Sequence, residues 1–172
     1  MRLTVKEAAV FSMLGAVMYC SKLIMEALPN IHLIGVMTMA LTLVYRKKAL
    51  YPIYVFVLIT GLLSGFSTWW VPYLYIWTVL WGITMLLPEK LSPKAAPFIY
   101  MTVCGLHGLF YGVLYAPVQA LFFGLDFKGM LTWIAAGFSF DAIHASSNFL
   151  CALLVMPMAK LITTAEKYSQ RQ

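Results

Sequence analysis

Six apolar stretches, separated by short runs of proline, glycine and charge, make up nearly all of this chain; they fall at about 5–27, 30–45, 49–66, 71–87, 95–124 and 129–163. A bilayer crossing takes about 20 mostly apolar residues as helix, and a helix that is apolar all round belongs in lipid or in a core. The pattern predicts an all-α integral membrane protein with six transmembrane helices, a single domain over residues 1–172. The second and fourth stretches are short for a crossing. The fifth and sixth are long enough to tilt or bend, with Pro117 and Pro157 as expected kinks.

Composition points the same way. The chain is 62% apolar and 10% charged, with a mean hydropathy of +0.85, which leaves no room for a soluble domain beside the helices. The net charge of +6 comes from short basic clusters between the apolar stretches rather than from one continuous basic face, so a nucleic-acid partner is not expected. Those clusters report topology, because basic residues are retained on the cytoplasmic side. With the N-terminus inside, Arg2, Lys6, Arg46, Lys47, Lys48, Lys90, Lys94, Lys160, Lys167 and Arg171 lie at inner ends, and only Lys22 and Lys128 lie toward the outside. An N-in, C-in arrangement is therefore expected. Glu7 beside the first basic residues, with no clear cleavage site after a short apolar core, reads as a retained first span. Cys20, Cys104 and Cys151 are isolated within apolar stretches, so neither a disulfide framework nor a metal site is expected.

Residues 66–81, FSTWWVPYLYIWTVLW, concentrate aromatic surface at the outer turn before the fourth stretch. Trp69 and Trp70 suit a headgroup zone. Tyr73, Trp77 and Trp81 share a helical face at i, i+4 and i+8 and descend from it, either packing on a neighbour or walling a pocket for a flat ring. Polar groups recur on two later stretches: Asp141, His144 and Asn148 on one face of the sixth, with Ser147 near its edge, and His107, Tyr111 and Tyr115 every fourth residue of the fifth. Ionisable groups inside a span need partners or a watery cavity, so these either bind one another or line a site with apolar walls and a few placed polar groups. Glu26, Asn30 and His32 stand at the first outer turn, either as headgroup-exposed turn residues or as a cover. There is no GxSxG elbow, HExxH or phosphate-binding GxxxxGK[ST], so no catalytic residue, metal or cofactor is expected, and transport against a gradient would need energy from elsewhere.

The first stretch carries Ala8, Ser12 and Ala16 at four-residue spacing, continued by Cys20, a strip of small side chains over which another helix can approach. Gly61 with Gly65 and Gly108 with Gly112 repeat the spacing, where packing within the chain is expected. Six helices in so short a chain, N-in and C-in, with this strip and with polar and aromatic residues toward the outer half, resemble the substrate-binding S component of energy-coupling factor (ECF) vitamin transporters. The resemblance implies a non-enzymatic capture subunit in the plasma membrane of a prokaryote. It implies docking of Ala8, Ser12 and Ala16 on a transmembrane coupling protein that is bound to two ABC-type ATPases. It also implies a small-molecule nutrient held by the outer parts of the fourth to sixth helices, with Trp69 and Trp70 as a lid and Tyr73, Trp77 and Trp81 as a stacking wall. His107, Tyr111, Asp141, His144 and Asn148 complete the expected site. No arginine lies inside a proposed span, which favours a neutral or weakly basic ring, pyrimidine- or pyridoxine-like, over a dianion. Two other readings stay open: a self-sufficient ion-coupled carrier with Asp141 as the protonatable group, and an intramembrane enzyme.

Overall fold

A computed structural model describes residues 3–28 and 30–169. Among them every regular element is helical: α1 (Val5–Met25), α2 (Ile34–Tyr45), α3 (Leu50–Ser64), α4 (Tyr73–Leu86), α5 (Ala96–Leu109), α6 (Tyr111–Phe123), α7 (Phe127–Cys151) and α8 (Val155–Ser169). Four helical runs, Val5–Met25, Ile34–Ser64, Ala96–Phe123 and Phe127–Tyr168, are long and apolar enough to cross a membrane, and Tyr73–Leu86 is a shorter apolar helix. These are the features of a membrane protein.

Local chemistry explains most of the boundaries. Thr4 caps α1 through a capping box: its side chain accepts from the Glu7 N–H, and the Glu7 carboxylate accepts from the Thr4 N–H at 3.0 Å. Pro52, Pro97 and Pro157 each sit in the first turn of a helix, and Pro72 caps α4, positions where a missing N–H costs least. The run Ile34–Ser64 changes direction at Arg46, whose φ of 52° interrupts the helical backbone, and a 3-10 turn, Arg46–Ala49, leads into α3. The run from α7 to α8 is broken by the 3-10 turn Ala152–Leu154, where the ring of Pro157 would meet the carbonyl four residues back. The fifth stretch departs from expectation. Pro117 lies inside an unbroken α6, and the interruption falls instead at Phe110, seven residues earlier.

The shortness of α2 also has a physical reason. All nine residues from Ile34 to Thr42 are buried, so α2 is wrapped by the other helices and has no lipid-facing side. Around it lie two apolar clusters. One joins Met18, Ile53, Phe56, Ile76 and Trp77; the other joins Val36, Met39, Leu80, Tyr100, Cys104 and Val155. The α5–α7 interface is built on glycine. A Cβ at Gly108 would lie 2.9 Å from the His144 carbonyl oxygen, and one at Gly105 would lie 3.1 Å from Phe149.

Ion pairs and one hydrogen bond gather several segments at one end of the bundle. Lys48 pairs with Glu7, Arg46 approaches Glu89 at 3.6 Å, and the Tyr45 hydroxyl donates to Glu166 at 2.7 Å. The start of α1, the α2–α3 corner, the loop after α4 and the end of α8 therefore share that end, to which the basic clusters at 46–48, 90 and 94 belong. Arg2 and Arg171, counted with them in the sequence, and Pro29 in the first loop lie outside the described residues.

Candidate functional site

At the opposite end, four helices and a loop bring their polar and aromatic side chains to one place. Trp77 on α4 is its hub. It is 1% exposed, and its indole lies 5.6 Å from the Tyr73 ring, 5.8 Å from His107 on α5, 6.3 Å from Tyr111 on α6 and 5.9 Å from His32 in the loop before α2. His144 on α7 closes the circle, with its ring 4.6 Å from His32 and 4.7 Å from Tyr111. These distances are those of aromatic rings in contact, so the rings stand against one another.

The hydrogen bonding of the cluster is incomplete. Trp77 Nε1, His32 Nδ1, His107 Nδ1, His144 Nε2 and both amide atoms of Asn148 are buried without a partner in the protein. Leaving a buried polar atom unpaired costs about 1–3 kcal/mol, and native interiors carry few such atoms. His107 has a defined tautomer. Its Nε2 faces the Ile76 carbonyl at 3.1 Å, and since a carbonyl only accepts, Nε2 carries the hydrogen and Nδ1 of the neutral ring is a bare acceptor. Trp77 supplies a donor, and Asn148 supplies both a donor and an acceptor. In the loop, burial pushes the His32 imidazole down to about 4, with nearby His107 adding to the shift. The cluster is thus set up with neutral donors and acceptors between aromatic faces.

The loops are tied to this assembly by their backbones. Ser147 on α7 donates to the Asn30 carbonyl at 2.8 Å, and Asn30 takes a positive φ of 60°. Tyr115 on α6 donates to the Trp69 carbonyl, holding the 65–72 loop. The Trp69 ring stands edge-on to Tyr73 at 5.7 Å, at the rim of the cluster.

Two sequence-predicted tryptophans, Trp70 and Trp81, stand apart. Trp70 donates its Nε1–H to the Val57 carbonyl at 2.8 Å and meets Phe66, so it fastens the loop to α3. Trp81 lies at the charged end, where its Nε1–H donates to the Arg46 carbonyl at 3.1 Å and braces the α2–α3 corner. Its separation from Trp77 is the main departure from the expected stacking wall. Asn148 is one turn along α7 from His144, fully buried beside Gly35 and Gly108. Asp141 accepts from the Gly112 N–H at 3.1 Å. The glycine pairs differ in use: Gly108 and Gly112 pack on α7, whereas Phe66 and Trp70 fold over Gly61 and Gly65 ends α3 with φ 94°.

His32 is one of three residues of the first loop, with Glu26 and Asn30, that the sequence left between two roles. Its place within a turn fits exposure, and only the contact of Asn30 with Ser147 on α7 and the packing of its own ring bring it against Trp77. A histidine flanked by Ile31 and Leu33, directly ahead of an entirely buried helix, is the signal that could have favoured an inward orientation.

Grooves on the outer faces of the helices are apolar and separate from this cluster. One of about 520 Å³ lies between α5 and α7, beside Thr102, Gly105, Leu106 and Phe149, and one of about 570 Å³ runs along α3 by Tyr51, Tyr54 and Leu58. Among the described residues, no group of three or more histidine, cysteine, aspartate or glutamate side chains is placed to hold a metal ion. On α1, Phe11, Gly15, Met18 and Tyr19 form the buried face, with Gly15 against Val55 and the Pro52 carbonyl. Ala8 and Ser12 are exposed and Ala16 is half-buried, so the small-residue strip is largely uncovered.

No protein-family model, curated protein or solved structure matches the chain.

Proposed function

We propose that the protein is the solute-capturing membrane subunit of an ECF-type importer. It takes a flat, uncharged or weakly basic heterocycle at the extracellular end of six N-in, C-in membrane segments and releases it inward when driven by a separate ATP-hydrolysing module. The observation that carries this reading is the convergence of Trp77, His107, His144 and Asn148 from three helices with His32 from a loop, each with a buried polar atom that no protein group satisfies. A ring-shaped solute that enters between these side chains can stack on indole and phenol faces and use the free donors and acceptors. Such a site rejects analogues that leave its polar atoms unpaired.

Charge favours a neutral cargo. The helices α2, α4, α5 and α6 carry no lysine or arginine, and α7 carries only Lys128, in its first turn. Because the rings touch, entry requires the 26–33 and 65–72 loops to part, and the Ser147–Asn30 and Tyr115–Trp69 bonds are those that open. The largely uncovered Ala8–Ser12–Ala16 strip serves as the docking surface for the coupling protein, which is bound to two ABC-type ATPases.

The test is uptake by proteoliposomes. Accumulation of the solute that copurifies with the protein should require ATP and the complete coupling module. Accumulation by this chain alone under a proton gradient would show a self-sufficient carrier and end the proposal.

A further inference from the structure

Asp141 is the one carboxylate among the residues of α4 to α7 that the sequence placed in the site, and its contact within the chain assigns it a different task from theirs. The break between α5 and α6 has no proline at it. Phe110 alone leaves the helical path, with φ −89° and ψ 8°, and its own N–H turns back to the carbonyls of Leu106 and Gly108. An N–H in the first turn of a new helix has no partner within that helix. For Gly112, the second residue of α6, the acceptor is supplied from α7: Asp141 Oδ1 receives its N–H at 3.1 Å, and the carboxylate is 7% exposed. The carboxylate occupies the space that a side chain on residue 112 would need, so the contact depends on glycine there.

Tyr111 is the first residue of α6, directly before the clasped glycine, and its ring lies 4.7 Å from His144 and 6.3 Å from Trp77. Asp141 and His144 are three residues apart on one face of α7. The same helix face therefore grips the start of α6 and supplies the histidine on which Tyr111 rests. We infer that Asp141 is a positioning residue: it clasps the N-terminus of α6 through the Gly112 amide, fixes the break at Phe110 and so holds Tyr111 against His144, without itself touching the solute. For its functional consequence this rests on the reading of the ring cluster as the binding site; the clasp itself does not.

The experiment reads both ends of the clasp in the full-length protein in detergent micelles. Glycine-selective ¹⁵N labelling gives 11 amide signals, with Gly112 identified by its loss in Gly112→Ala; histidine-selective labelling reports three rings. In Asp141→Ala the Gly112 amide should exchange its hydrogen at least tenfold faster than in the wild type, and the His144 ring signals should shift as the Tyr111 ring moves. Asp141→Asn keeps an oxygen acceptor and should preserve slow exchange, the His144 signals and the retention of copurified solute. Unchanged Gly112 exchange in Asp141→Ala would overturn the inference, as would faster exchange with unmoved His144 signals. If Asp141→Ala does not fold, Asp141→Asn decides: loss of solute with slow Gly112 exchange intact would mean that the carboxylate meets the solute directly. Wild-type protein that retains no solute would count against the proposed function and leave the amide and ring results standing.

Discussion

Replacing Trp77 by phenylalanine separates packing from recognition at the centre of the site. Trp77 is 1% exposed and meets rings from Phe56, Tyr73, His107, Tyr111 and His32, while its Nε1–H has no protein partner. Truncation to alanine removes the whole hub and should cost about 3–5 kcal/mol. Phenylalanine keeps one ring and leaves a void of roughly 40 Å³, which at about 24 cal/mol per Å³ costs about 1 kcal/mol. It also deletes a buried unpaired donor, and relief of that penalty is worth about 1–3 kcal/mol. The two terms nearly cancel in solute-free protein, so Trp77→Phe should unfold within about 1–2 kcal/mol of the wild type. With solute present the balance changes, because the lost hydrogen bond is then a real one. Affinity should fall by about 5- to 150-fold, the equivalent of about 1–3 kcal/mol. Denaturant titration in detergent, with and without the copurified solute, measures both effects. A solute-free loss for Trp77→Phe as large as that for Trp77→Ala, or an affinity equal to the wild type's, would refute the reasoning.

Three further outcomes follow from the same geometry. His32 is held near 4 against an ordinary value of 6.5, so the unfolded chain binds more protons below pH 6.5; its contribution is intact above that pH and is lost as the pH falls toward 4, by on the order of 3 kcal/mol. A series of unfolding titrations should show this decline, and His32→Phe should flatten it; an identical slope in the variant would remove His32 from the buried cluster. On α1, Ala8→Leu should change stability by no more than about 0.5 kcal/mol but reduce copurification with the coupling module, whereas Gly15→Leu, forced against Val55 and Pro52, should cost about 1–3 kcal/mol or more. Equal copurification of wild type and Ala8→Leu would take docking away from the strip. Trp70→Phe should lose about 1 kcal/mol with its bond to the Val57 carbonyl while keeping solute affinity, as thermal unfolding and solute retention would report.

The helical, membrane-embedded character was legible because it depends on local quantities: apolar length and the spacing of prolines and charges. The position of residues along the bundle axis was less so. Trp77 and Trp81 share a face of α4 by periodicity, but at about 1.5 Å per residue they differ by about 6 Å in depth, and only the placement of α4 gives one to the ring cluster and the other to the Arg46 corner. The break at Phe110 was hidden for a similar reason. The partner that meets the chain beside it, Asp141, lies 29 residues from Gly112, whereas Pro117 is the obvious local signal. His32 required tertiary contacts too: its ring meets Trp77 and His144, and the Asn30 carbonyl two residues before it accepts from Ser147. In contrast, His107, Tyr111 and His144 were found from spacing alone, because a polar stripe on an otherwise apolar helix has few places to go but the interior.

Native mass spectrometry of the gently released protein tests the capture of a solute by the ring cluster most directly. The wild type should carry one small organic molecule per chain; Asn148→Ala and His144→Ala should lose it, and Trp81→Ala, altered one helical turn beyond Trp77 where it braces the Arg46 corner, should keep it. A wild type with no bound molecule, or equal retention by all three variants, would contradict the account.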